Sequence, residues 1–267
     1  MEESTMASFS VVNNIASMNA QANLQISNTG LNRALTRLSS GLRINSSGDD
    51  AAGLAMANSY RSDVAALNQG IRNANDGLST LQIVDGALNN ISTLLDRLAT
   101  LASQSASSNF TGSRTVLDAE FGAVLDEIDR EAGVAGLTAV MNFSVFVGSG
   151  NLTGTIGASD STAMAINAST VDTAANAATA LTAVKAAVTT LGGVQGSVGT
   201  LENTMQYAIS LAQTQVVNVK AAESRIRDAN VAEESANMTR FNILTQSGIA
   251  ALAQANQSTS AVLNLLR

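Results

Sequence analysis

The 267-residue sequence predicts a mainly α protein: a long, antiparallel, coiled-coil-like helical bundle with a small β-hairpin element in its middle. Three observations carry that expectation. Apolar residues recur at alternating spacings of three and four along most of the chain, the period that winds helices together. Proline is absent, which removes the strongest helix breaker and permits very long helices. Aromatic residues amount to 3% against an apolar fraction of 45%, so Ala, Leu, Val and Ile must fill the interior, and such side chains suit close helix–helix contact.

Taken in order, Leu24, Leu31, Leu35, Leu38 and Leu42 fall on one stripe of a first helix. A Gly/Ser turn containing Asp49 and Asp50 follows. The second stripe runs Leu67, Ile71, Ala74, Leu78, Leu81, Val84, Leu88, Ile91, Leu95, Leu98 and Leu101, with two consecutive threes at Leu78, Leu81 and Val84 that read as a stammer. A helix over residues 58 to 106 would be on the order of 70 Å long. The stretch SSNFTGSRT interrupts it, and a shorter amphipathic helix then carries Leu117, Phe121, Val124 and Ile128 on one face. Two short strands are expected at FSVFV, 143 to 147, and TGTIGAS, 153 to 159, flanked by glycine-rich turns. From about Asp172 the helical spacing resumes through Leu181, Val184, Val188, Leu191, Val198, Leu201, Met205, Ala208, Ala212, Val216, Val219 and Ile226. Glycines at 192, 193, 196 and 199 weaken its middle.

Charge adds a topology. No residue between Glu3 and Arg33, or between Arg240 and Arg267, is charged. Just inside these silent ends lie Arg33, Arg37 and Arg43 on one arm and Glu223, Asp228, Glu233 and Glu234 on the other. Antiparallel packing of the arms sets silent against silent and basic against acidic. The last stretch, residues 241 to 266, exceeds the roughly 20 residues a bilayer requires, but its Asn, Gln, Ser and Thr are too numerous for lipid. Burial against copies of the same chain accounts better for the exclusion of charge, because a lone charge there would lose water without gaining a partner.

Composition also excludes chemistry. Neither Cys nor His is present, which removes disulfides, thiolate and imidazole metal sites and the commonest general base. No cofactor is expected. A net charge of −7 argues against nucleic acid, and the acidic opening MEESTMASFS has no apolar signal-peptide core. Asp49-Asp50, Glu233-Glu234 and the cluster Asp126, Glu127, Asp129 lack the spacing of a calcium loop and a His companion, so they read as turn or helix-surface carboxylates. Met18, Met56, Met205 and Met238 read as packing residues.

Four blocks remain: LSSGLRINSSGDDAAGLAMAN at 38 to 58, IRNANDGLSTLQIVDGALNNI at 71 to 91, ESRIRDANVAEESANMTR at 223 to 240, and LAQANQSTSAVLNLLR at 252 to 267. Their order and length closely resemble bacterial flagellin, over roughly residues 7 to 130 and 172 to 267. The resemblance implies a structural, non-enzymatic subunit that polymerises into the extracellular flagellar filament and is exported unfolded through a type III apparatus. It implies an inner coiled-coil domain made of residues 1–50 and 228–267, a helical-bundle domain at 51–227 with a strand-containing middle at about 131–171, and no separate outer domain. Leu24, Leu31, Leu35, Leu38, Leu42, Ile249, Leu252, Leu263 and Leu266 would pack the inner layer.

The implied partners are further copies of the chain, an export chaperone, the filament cap and hook-junction proteins. The stretch DRLATLASQSA, 96 to 106, resembles the helix face recognised by a toll-like receptor, with Arg97, Leu101 and Gln104 matching and Glu120 as a fourth contact; the other reading is that these residues only make contacts between subunits, since Leu101 sits on the packing stripe. Ala99 and Thr100 stand where the family often has Arg and Glu. Alternatives are a hook–filament junction protein or minor flagellin, and more distantly a signalling coiled coil.

Overall fold

The computed structural model describes residues 13–265, with side chains through residue 257. Helix α1 spans Ile15–Ser40, α2 Ala51–Ala106 and α3 Arg114–Ala135; strands β1, Met141–Phe146, and β2, Asn151–Ile156, form a hairpin; α4 spans Ala174–Arg227 and α5 Val231–Leu265. The mainly α class with a small hairpin is therefore the observed one. The contacts divide the chain into two compact units, Met1–Arg61 with Lys220–Arg267, and Ser62–Val219.

Capping residues set the helix ends. The Asn14 side chain accepts from the Ser17 N–H at 3.0 Å, and α1 stops at Gly41, whose φ of 71° lets its N–H return to the Arg37 carbonyl. Asp50 opens α2 by accepting from the Gly53 N–H at 2.9 Å. Thr173 opens α4 through the Asn176 N–H at 3.2 Å. Each satisfies a donor that a helix start leaves without an intrahelical partner.

In Ser62–Val219 the core is built by α2, α3, α4 and the hairpin. On α2 the seam from residue 74 onward is Ala74, Gly77, Leu81, Val84, Leu88, Ile91, Leu95, Leu98, Ala102 and Ser105, all buried at alternating steps of three and four, with Ala87 and Leu101 buried beside it. The expected stammer is thus absent: Gly77 occupies the seam and Leu78 lies beside it, half-buried. A β-carbon at Gly77 would stand 2.8 Å from Val145 Cγ2 and 3.1 Å from Phe143 Cζ, so the hairpin takes the room a side chain would fill. Gly70 is used the same way, its side facing the backbone of Val147 and Gly148.

Helix α4 obeys an equally regular register: Ala177, Ala180, Val184, Ala187, Leu191, Val194, Val198, Leu201 and Met205 are all buried. Leu181 and Val188, expected on this stripe, are displaced from it; Leu181 is half-buried and Val188 is 40% exposed. Register outweighs residue size here, and alanines fill the seam. By composition α4 is long and apolar enough to cross a membrane, but this stripe is used in the core. All four glycines from 192 to 199 remain helical. On α3, Leu125 rather than Val124 is the buried residue between Phe121 and Ile128, and the stripe continues through Ala132 and Ala135.

The strands begin two residues earlier than expected. Val147 belongs to the turn, donating its N–H to the Gly150 carbonyl at 2.9 Å, with Gly148 at φ 85°. Pairing runs antiparallel from Met141↔Ile156 to Phe146↔Asn151. Phe143 and Ile156 point inward, and Gly154 lies opposite Phe143 where a side chain would strike Leu201. Beyond β2 an irregular segment, 157–173, is tied to α3 by two carboxylates. Asp129 accepts from the Ser161 N–H and hydroxyl at 2.7 and 2.8 Å, and Asp118 accepts from the Val171 N–H at 2.8 Å.

Candidate assembly surface

In the unit built from the chain ends, α1 and α5 pair along their length. The α1 side of the seam is Ser17, Ala20, Leu24, Ser27, Leu31, Ala34 and Leu38; the α5 side is Glu234, Met238, Phe241, Thr245, Gly248, Leu252 and Ala255. Both sets alternate three and four, as two helices supercoiling around each other require. The pairing is antiparallel, as the charge map expects. The Asn14 amide donates to the Ala255 carbonyl at 2.9 Å, Gly248 faces Leu24, Gly30 faces the Phe241 ring, and Arg37 meets Glu234 at 3.0 Å.

A backbone joint closes the acidic and basic end of this pair. Arg43 donates its N–H to the Arg227 carbonyl at 2.7 Å, Ala229 donates to Gly41 at 2.9 Å, and Leu42 and Asp228 form an isolated antiparallel bridge. The Arg43 guanidinium adds a bond to the Ile226 carbonyl at 2.8 Å. Glu234 is 8% exposed, so its carboxylate depends on Arg37 for compensation.

The carboxylate pairs are used structurally. Asp49 accepts from the Ser46 N–H and hydroxyl and from the Asn45 N–H, which hold its pKa below the ordinary carboxylate value, the Ser46 backbone bond contributing most. The Asn176 amide does the same for Asp172. On α3 the Arg130 guanidinium lowers Glu127 and is itself raised by that partner. Among the described residues no group of three or more His, Cys, Asp and Glu is placed to hold a metal ion.

What distinguishes the α1 and α5 pair is its outer surface. Ile15, Met18, Ile26, Leu35, Ile243, Leu244 and Ile249 are each 45 to 67% exposed. All but Leu35, which lies between Arg33 and Arg37, fall in the charge-free stretches 13 to 32 and 241 to 257. Exposed aliphatic side chains occur on other helices too; here they stand on surface almost free of charge, which makes it the candidate site of association. Of the residues expected to pack an inner layer, Leu24, Leu31, Leu38 and Leu252 lie on the intrachain seam, Leu42 is half-buried at the joint, and Leu35 and Ile249 face outward. The Leu263 side chain and all of Leu266 lie outside the described residues. Of the four methionines read as packing residues, Met205 is buried and Met238 half-buried, while Met18 and Met56 are 65% and 51% exposed.

A second surface lies on α2 and α3. Arg97 is ion-paired to Glu120, its Nε donating at 3.0 Å, with both side chains about half exposed. Gln104 is exposed one face along, but Leu101 is 1% exposed and belongs to the core. Of the four residues expected on this face, Arg97, Gln104 and Glu120 reach the surface and Leu101 does not. The outward Leu35 and Ile249 were not separable from the seam leucines by composition; the seam register, once fixed by the small residues Ala34 and Gly248, separates them.

Comparison with known proteins gives one consistent result. The family model for the bacterial flagellin N-terminal helical region matches residues 11–138, and that for the C-terminal helical region matches residues 181–266. A flagellin of Halalkalibacterium halodurans is 34% identical, covering 95% of this chain and 98% of its own. A flagellar filament 33 kDa core protein of Treponema phagedenis is 32% identical with the same coverages. Among solved structures, a crystal structure of Bacillus cereus flagellin aligns at 26% identity and a TM-score of 0.47, over 57% of this chain and 94% of that one.

Proposed function

The chain belongs to the bacterial flagellin family, and we propose that its two ends, paired as α1 and α5, are the element through which it polymerises. It is a structural subunit of the bacterial flagellar filament, a role in which no catalytic site is needed. Residues 1–50 and 228–267 form the inner layer in this reading, and 51–227 form the layer around it; α2 and α4 contribute to both compact units. The observation that carries the reading is the charge-free outer face of α1 and α5, with large aliphatic side chains half exposed in the monomer. Contacts of this kind repeated along a helical path give an open filament rather than a closed ring.

The filament is extracellular, and the subunit reaches it through type III export. An export chaperone, the filament cap and the hook-junction proteins are the further partners. Arg97, Gln104 and Glu120 are proposed to contact neighbouring subunits in the filament and a toll-like receptor in the free monomer. The test is polymerisation itself: purified monomer is seeded with short filaments or treated with a precipitating salt and viewed by negative-stain electron microscopy. Long uniform filaments are expected. Persistent monomers with intact helical content would overturn the reading.

A further inference from the structure

A groove of about 570 Å³ opens on one flank of the α1 and α5 pair. It exists because Gly30 has no side chain: a β-carbon there would stand 2.5 Å from Phe241 Cε1, so the ring lies against bare backbone and leaves a hollow beside Ile26 and Ala22, with Arg33 at one end. Gly30 sits one step before the seam position Leu31. Leu35 and Ile249 each sit one step after a seam position, Ala34 and Gly248, which in an antiparallel pair puts them together on the opposite flank. They are 45% and 56% exposed. Phe241 meets Gly30 and Gly248 meets Leu24, so Ile249 lies at the same level along the pair as the Ala22 end of the groove.

Given the polymerising role proposed for these helices, we infer that the groove of one copy receives the flank carrying Ile249 of a second copy. The occupant is set by charge and by level. Apart from Arg33 at its end and the Arg240 guanidinium 5.7 Å from the Phe241 ring, the groove lies in a stretch without charged residues, and a charged occupant at its Ala22 end would lose hydration without a partner. The flank carrying Ile249 is uncharged between residues 241 and 257, and it presents the half-exposed Ile249 side chain level with the groove. Because the donor and acceptor flanks differ, the contact is heterologous: each copy leaves one groove and one ridge unused, and the next copy adds to them without closing a pair.

The absence of Cys makes the contact directly testable. Ile26→Cys, Ile249→Cys and the double variant are assembled into filaments, oxidised, and run on non-reducing gels. The double variant is expected to give a ladder of covalent oligomers, a mixture of the two single variants covalent dimers, and each single variant alone only monomer. A second pair, Ala22→Cys with Ile249→Cys, repeats the test at the same level if the first does not assemble. Intact filaments that give no ladder from either pair, or a single variant that links to itself, would overturn the contact. Failure of the unsubstituted chain to form filaments would instead remove the polymerising role on which it rests.

Discussion

Gly70→Ala and Gly86→Ala make the same chemical change in the same helix, and the structure assigns them opposite signs. Both glycines lie inside α2, where alanine is favoured over glycine by about 0.8–1 kcal/mol. At Gly86 nothing lies within 4 Å of the added β-carbon, so the full gain is expected. At Gly70 the β-carbon would stand 2.3 Å from the Val147 carbonyl carbon and 2.4 Å from the Gly148 nitrogen. These are backbone atoms of the hairpin turn and cannot rotate aside; the turn must retreat by about 1 Å to restore contact distance. Overpacking of this kind costs about 1–3 kcal/mol, and a turn that lifts off uncovers Val147, now 8% exposed, for about 1.5–2 kcal/mol more. Gly70→Ala is therefore expected to lower stability by about 1.5–4 kcal/mol net of its helix gain. Urea unfolding of the monomer followed by circular dichroism reads the difference: with a slope of about 3 kcal/mol per molar, the two midpoints separate by roughly 1 M. Two variants stabilised equally would show that the hairpin does not rest on α2.

Other substitutions probe different parts of the molecule. Leu95→Ala, at a fully buried seam position of α2, should cost about 2–5 kcal/mol in the same unfolding assay. Glu234→Gln should leave Arg37 without its carboxylate and loosen the pairing of α1 with α5 by about 1–3 kcal/mol, read as faster amide exchange in both helices with exchange in α3 unchanged. Acid should act through Asp49, Glu127 and Asp172, whose folded pKa values lie below their ordinary ones. The stability they contribute is present above the ordinary carboxylate pKa and lost as pH falls through the lowered values; side-chain carboxyl shifts followed by NMR should titrate below about 3.9 for the two aspartates, and Ser46→Ala should move Asp49 upward.

Much of this fold is legible because its helices are long and their seams regular. The helix interruption at SSNFTGSRT, the hairpin and the antiparallel arms all follow from spacing and charge. What spacing misjudges is who occupies the seam. Choosing the largest apolar residue selects Leu78 over Gly77 and Val188 over Ala187, and on α3 steps of three and four fit Val124 as well as Leu125, yet in each case the register of the neighbouring turns decides. A glycine in a helix reads as weakness until the element that fills its vacancy is known; Gly70 and Gly77 serve a hairpin some seventy positions away. The association surface was legible as an exclusion of charge, but not as individual residues. Leu24 and Leu35 are the same residue type, yet Leu24 is half-buried on the seam and Leu35 is 45% exposed beside it, and only the partner helix distinguishes them.

The backbone joint at Leu42 and Asp228 also orders events in time. It joins segments 183 residues apart, as the Arg43 bond to Ile226 records, and closing a free loop of that length costs about 4–5 kcal/mol. The hairpin closes over a handful of residues, on a scale of microseconds. Once α2 and α4 have met in their shared core, the loop that remains is far shorter, so the ends close after that core and not before it. Pairing of α1 with α5 then follows the core, and for that interval the newly made chain holds apart the two helices proposed to associate with other copies.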